Sequence, residues 1–183
     1  MANEVEKTAL LVMDVQPGIV ERLKDKEEYI AKVISVVAAA REKHIPVVHV
    51  VVGFRPGFPE VSMRNKSFHA IRESVPAYLV NPHPAITVAD DDIVVVKRRV
   101  SAFAGSDLEV VLRAQGIHHL VLAGIATSGV VLSTLREAAD KDYQITVLSD
   151  LCADLDDEVH SVLLEKVFPR QAAVISSEQW INS

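Results

Sequence analysis

The sequence predicts an α/β domain built on a mainly parallel sheet. Short runs rich in Val, Ile and Leu recur without strict alternation, as strands buried on both faces do. Segments with apolar residues every three or four positions separate them, as helices lying on such a sheet do. Strand–helix–strand units joined by right-handed crossovers give one sheet covered by helices. With 183 residues, 49% of them hydrophobic, the chain holds material for one substantial core, and a single domain over residues 1–183 is expected.

The expected strands are Ala9–Met13, Val47–Val52, Ile93–Val96, Leu120–Ala123 and Ile145–Leu148, with a weaker sixth at Ala172–Ile175. Glu27–Lys43 reads as a helix whose buried face is Ile30, Val33, Ile34, Val37 and Ala38. Asp107–Gln115 follows the same pattern, with Ser106 as N-cap and Gly116 as its stop. Val130–Asp140 and Asp156–Phe168 are also helical in pattern, the latter ended by Pro169, and Ser177-Glu178 opens a last short turn. Phe54–Pro84 breaks the alternation with five prolines, although Phe68–Leu79 can hold a short helix. A long irregular connection of this kind is expected to serve as a lid, a site wall or an oligomer contact.

A net charge of −6 gives no electrostatic ground for binding nucleic acid or an anionic membrane, and the triplet Lys97-Arg98-Arg99 is too short for a nucleic-acid arm. No apolar stretch approaches the roughly 20 residues of a membrane span. The charged N-terminus precedes an apolar run too short for a secretory signal. One cysteine, Cys152, excludes an internal disulfide, and a cytoplasmic protein is expected. Its acidic neighbours, Asp150, Asp154 and Asp156 among them, disfavour a catalytic thiolate, so Cys152 reads as structural. The seven histidines form no H-x-x-x-H or D-x-H pattern, and His160 reads as a capping or surface residue. No dinucleotide or phosphate-loop motif occurs, so neither cofactor nor metal is expected.

Ligands of open parallel sheets bind beyond the carboxyl ends of the strands. Asp14 closes the first strand and Lys97 the third. A partly desolvated carboxylate suits general acid or base work, and a lysine at the same edge would hold it ionised or bind an anionic substrate. Asp14 also suits an Asx turn serving Gln16-Pro17-Gly18, and Lys97 a snorkelling strand end flanked by surface Arg98 and Arg99. After the fourth strand, Gly124–Val130 offers amides at a helix N-terminus, an anion or oxyanion site. Its serines do not fit G-x-S-x-G. A receiver domain is discounted because its third strand would end in aspartate, and a haloacid-type phosphotransferase because residue 16 is Gln.

The pieces "ALLVMDVQ", "VVVKRRVSAFAGSDLEVVLRAQGI" and "LVLAGIATSGVVLSTLREAADKDYQITVLSDLCAD", followed by Glu158-Val159-His160, resemble the isochorismatase-like (cysteine) hydrolases in order and spacing. The resemblance implies a Rossmann-like, three-layer α/β/α domain, and matches Asp14 and Lys97 to the family's catalytic aspartate and lysine. The family's cysteine, in G-x-x-T-x-x-C-V, falls on Val130, while Gly124, Thr127 and Val131 match. It also implies a non-proline cis peptide near Ile125–Thr127, a homo-oligomer, and a small-molecule substrate or ligand. The metal pattern of nicotinamidases has no counterpart, and Val100 stands where a tyrosine is common.

Valine closes the thioester route. Three readings stay open: vinyl-ether hydrolysis with Asp14 as acid, water-mediated amide hydrolysis with Asp14 as base, and a non-catalytic ligand-binding or regulatory homologue. Candidate substrate- or oxyanion-binding residues are Ala126, Thr127, Ser128, Gly129, Gln16, Phe54 and Arg55. Arg55, Arg64 and Lys66 would supply the charge that a doubly anionic ligand such as isochorismate needs. The Phe54–Pro84 segment and Trp180 are candidate oligomer contacts, Trp180 alternatively a core anchor.

Overall fold

A computed structural model describes residues 7–74 and 76–183. The charged residues 1–6, read above as no secretory signal, and residue 75 within the predicted Phe68–Leu79 helix lie outside the described residues. The elements run β1 (Thr8–Met13), α1 (Pro17–Val20), α2 (Lys26–Glu42), β2 (Val47–Val52), α3 (Lys66–Ser74), α4 (Ala77–Val80), β3 (Ile93–Lys97), α5 (Leu108–Ala114), β4 (His119–Ile125), α6 (Leu132–Asp140), β5 (Gln144–Ala153), α7 (Asp157–Val162), β6 (Ala173–Ile175) and α8 (Ser177–Ile181). A π-helical turn, Thr127–Val131, leads into α6, and another, Leu163–Val167, follows α7.

The six strands form one parallel sheet in the order β3-β2-β1-β4-β5-β6, with helices on both faces. One face packs Ala9, Leu11 and Met13 of β1 against Leu108 and Leu112 of α5 and Leu135 of α6. The other packs Leu10 and Val12 against α2 and Trp180. The chain winds outward from β1 through β2 and β3, then returns to β4 on the opposite side. The β1/β4 boundary is therefore the topological switch point, where an open α/β sheet leaves a crevice at the strands' carboxyl ends.

Two expectations are corrected. The buried face of α2 is Tyr29, Val33, Val36, Val37 and Ala40, while Ile34 is 52% exposed and Ala38 also faces solvent. Two apolar stripes overlap on this Ala- and Val-rich helix, and packing against the sheet selects the one that carries Tyr29, Val36 and Ala40. Next, β5 does not stop at Leu148. Leu122 faces Val147, but Gly124, two residues on, faces Cys152, five residues on, so β5 bulges and resumes. Ser149 and Asp150 lie in that bulge. Asp150 binds the Ser177 amide at 2.7 Å and its hydroxyl at 2.6 Å, anchoring α8. Of the two roles expected of Trp180, the core anchor is the one observed: it is buried against α2, with the Lys43 ammonium 5.6 Å from the ring centre.

Ser106 accepts the Leu108 amide at 3.2 Å although Asp107 is the residue preceding the helix, and α5 stops before Gly116 as expected. No helix among the described residues is long and apolar enough to cross a membrane.

Gly124 is required where β4 passes β1: a Cβ there would lie 2.4 Å from the Met13 carbonyl oxygen. Backbone cannot yield as a flexible side chain can, so Gly124→Ala should cost about 3 kcal/mol. Denaturant unfolding should show a lowered midpoint and an unchanged slope.

Candidate active site

Asp14 leaves β1 with its amide still bound to Val50 O at 2.8 Å, then turns into the left-handed region at φ +56°. That conformation is sparsely populated by non-glycine residues, though Asp tolerates it better than most. It places the carboxyl group over the sheet's end. Lys97, at the end of β3, crosses the end of β2 to bring Nζ within 3.0 Å of Asp14 Oδ2. The same ammonium donates to Arg99 O at 2.9 Å and Val100 O at 3.0 Å, so its three protons have three acceptors inside the protein. Asp14 Oδ1 is buried and has no hydrogen-bond partner. Burial pushes the Asp14 carboxyl up to about 6, against the opposing pull of Lys97.

Asp14, Lys97, Ala126, Gly129 and Val130 line a cavity of about 220 Å³. Phe68, Ile71 and Leu79 form an apolar wall contributed by the irregular segment, and Tyr78 adds a phenol. The Tyr78 ring lies directly on Gly18. At the mouth, Arg22 donates to Tyr78 Oη at 3.3 Å. Leu155, 71% exposed, separates this cavity from a neighbouring hollow of about 320 Å³, and Arg22 and Leu23 also belong to both.

The turn after β4 is built from side chains behind it. The Ile125–Ala126 peptide is cis, within the stretch where the resemblance implied one. Thr127 is fully buried, its hydroxyl 2.8 Å from His160 Nδ1. His160, read from sequence as capping or surface, is half-buried and braces this turn. Asp154 accepts the Ser128 amide at 2.7 Å; burial pushes its carboxyl up, and the Ser128 hydroxyl and amide with the Leu155 and Asp156 amides outweigh this to hold it below the usual range. The Gly129 and Val131 amides both go to Ala126 O, at 3.1 and 3.3 Å.

Comparison with known proteins adds the family. A model of the isochorismatase domain matches residues 8–179. The chain belongs to the isochorismatase family. An uncharacterized family protein, YecD, of Escherichia coli O157:H7 is 31% identical over 179 residues, covering 96% of this chain and 95% of that protein. A ureidoacrylate amidohydrolase of Variovorax paradoxus is 32% identical over 187 residues, covering 85% of this chain and 72% of that enzyme. A protein named probable inactive nicotinamidase, from Arabidopsis thaliana, is 32% identical over 174 residues, covering 88% of each chain. Among solved structures, an isochorismatase family protein from Burkholderia thailandensis superposes with a TM-score of 0.79 at 30% identity, covering 97% of this chain and 96% of that one.

Within this isochorismatase-family fold, the expected site residues divide. Asp14, Lys97, Ala126, Gly129 and Val130 meet at one cavity. The others lie outside this cavity. Gln16 is fully buried and spends its amide on Val52, accepting from N at 2.8 Å and donating to O at 3.1 Å, so it holds β2's end instead of a ligand. Phe54 is buried among Phe58 and Phe68. Arg55 is exposed and pairs with Glu60 at 2.5 Å, and Arg64 and Lys66 are exposed outside the cavity. Thr127 and Ser128 face away from the cavity toward His160 and Asp154. Lys97, its donors already paired, has none left for a substrate anion. Arg98 and Arg99 are not loose surface charge: Arg98 donates to Gly53 O at 2.6 Å and Arg99 to Glu60 O at 2.9 Å, fastening the irregular segment. Cys152 lies inside β5 and not after it, buried, with its thiol pushed up to about 12 by desolvation. Sequence reasoning missed Arg22 and Tyr78. Arg22 is one cation in the charged run after Val20, and no periodicity marks it as facing the crevice.

The native Asp14 carboxyl, at about 6, holds its proton more tightly than the unfolded chain at 3.8. The stability this supplies is complete below pH 3.8 and is lost as pH rises through 6, a loss of about 3 kcal/mol. Asn cannot ionise. Thermal melts of the parent should therefore show stability falling as pH rises through 6, and Asp14→Asn should lose this pH dependence, whatever the removal of Lys97's counter-charge does to its overall stability.

Proposed function

We propose that the chain hydrolyses a small enol-ether (vinyl-ether) substrate without a covalent intermediate, with Asp14 as general acid. The supporting observation is a buried carboxyl poised near 6, one oxygen paired to Lys97 and the other without a partner. Val130, at the position the family resemblance assigns to cysteine, is buried and cannot attack a carbonyl carbon. Cys152, buried and weakly acidic, cannot replace it.

Asp14 transfers its proton to the vinyl carbon and leaves an oxocarbenium ion. The new carboxylate, held by Lys97, faces that cation. Water adds to the cationic carbon and returns a proton to Asp14. The hemiketal then collapses, breaking the carbon–oxygen bond to release an alcohol and a carbonyl product. Amide hydrolysis fits less well: with Val130 in place of a nucleophile it needs an attacking water and a base, whereas a carboxyl raised to about 6 is better suited to donate a proton. Positive charge beside a carboxylate needs no oxyanion donor. The second reading, a ligand-binding homologue without turnover, draws support from the similarity to the Arabidopsis thaliana protein named as inactive.

A screen of vinyl ethers, amides, ureides and carbamates tests this. Vinyl-ether turnover should fall as pH rises above about 6, because the acid form of Asp14 is consumed. Asp14→Asn should lower the rate by about 10²-fold or more. Turnover of none of these classes by the intact chain would leave the binding reading in its place. Iodoacetamide should leave activity unchanged, and inactivation by it would refute a route independent of cysteine.

A further inference from the structure

We infer that Arg22 and Tyr78 form an anion-reading subsite, so that the cavity selects small, mainly apolar ligands carrying a single negative charge. The inference rests on the cavity being the active site and adds the substrate class. Two cations line this cavity, Lys97 and Arg22. Lys97 is removed from recognition by geometry: Asp14, Arg99 and Val100 take its three protons. Arg22 is not so committed. Among the described residues, the guanidinium's hydrogen bond is the one to Tyr78 Oη at 3.3 Å, which leaves most of its five donors for a ligand. Tyr78, accepting from Arg22, still has its own proton to donate. A planar carboxylate can take both, one oxygen from each.

Charge count and size narrow the ligand further. With one uncommitted cation in the cavity, one anionic group is matched. Arg55, Arg64 and Lys66 are outside it. Beyond Arg22, the neighbouring hollow carries Asp25, Glu28, Asp150, Asp154 and Asp157 against two further lysines, so a second negative charge would meet repulsion there. At about 220 Å³ the cavity lies below the roughly 300–1,000 Å³ of pockets for drug-sized ligands, which favours a metabolite-sized body against Phe68, Ile71 and Leu79.

Titration calorimetry at neutral pH with benzoate, benzamide and phthalate tests the subsite. These share a flat apolar body and differ in charge. The intact chain should bind benzoate about tenfold more tightly than benzamide, and phthalate no more tightly than benzoate. Arg22→Gln should abolish the benzoate preference and keep benzamide affinity, which also verifies the fold. Asp14→Asn should retain the preference whether or not Asp14 is the acid, which separates this inference from the catalytic one. Equal binding of benzoate and benzamide, a preference surviving Arg22→Gln, tighter binding of phthalate, or no binding of any of the three would each overturn it.

Discussion

The burial of one ammonium ion organises this end of the molecule. Lys97 is 2% exposed, and an unpaired charge at that depth would cost several kcal/mol. Three acceptors must therefore be held around it. Two are the carbonyls of Arg99 and Val100, so the chain beyond β3 must curl back over its own strand end. The third is Asp14, whose carboxyl reaches the ammonium because the backbone turns into the left-handed region directly after β1. Gln16 then closes the gap between β1 and the end of β2 through both halves of its amide. The Asp14 carboxyl thus sits on backbone arranged around the buried charge.

The same arrangement accounts for the carboxyl's behaviour. A lysine at 3.0 Å would by itself keep an aspartate strongly acidic, yet burial dominates and moves the group to about 6. Having spent its other two protons elsewhere, Lys97 supports one carboxylate oxygen and leaves the second without a donor. A proton, or a donor from a bound molecule, is what that oxygen lacks.

Much of the fold was legible in the sequence because parallel strands buried on both faces leave long β-branched runs; Val47–Val52 was located to the residue. The face of α2 was misjudged because Ile34 and Val36 are equally apolar and periodicity alone cannot choose between them. The end of β5 was misjudged because a bulge interrupts an apolar run just as a strand end does. At the site, Asp14 and Lys97 could be singled out since each ends a strand, but their meeting across β2 depends on a side-chain path. Gln16, Thr127 and Arg99 were harder. Their partners are backbone groups or residues distant in sequence, and residue type does not reveal which side of a turn a side chain faces.

The irregular segment is fastened partly through its backbone and partly through the buried cluster of Phe54, Phe58, Phe68 and Leu79. Arg98 and Arg99 grip the carbonyls of Gly53 and Glu60, and Gln16 grips that of Tyr78. Every amino acid carries a carbonyl, so these moorings do not care which side chains the segment bears. Phe68 and Leu79 are also buried in the cluster with Phe54, Phe58 and Val61, so partly buried Ile71 is the wall residue freest to change while the strap stays tied to the sheet. The molecule thus keeps the buried ion pair apart from part of the wall above it, an arrangement in which the shape of the cavity can change at Ile71 without rebuilding the pair beneath.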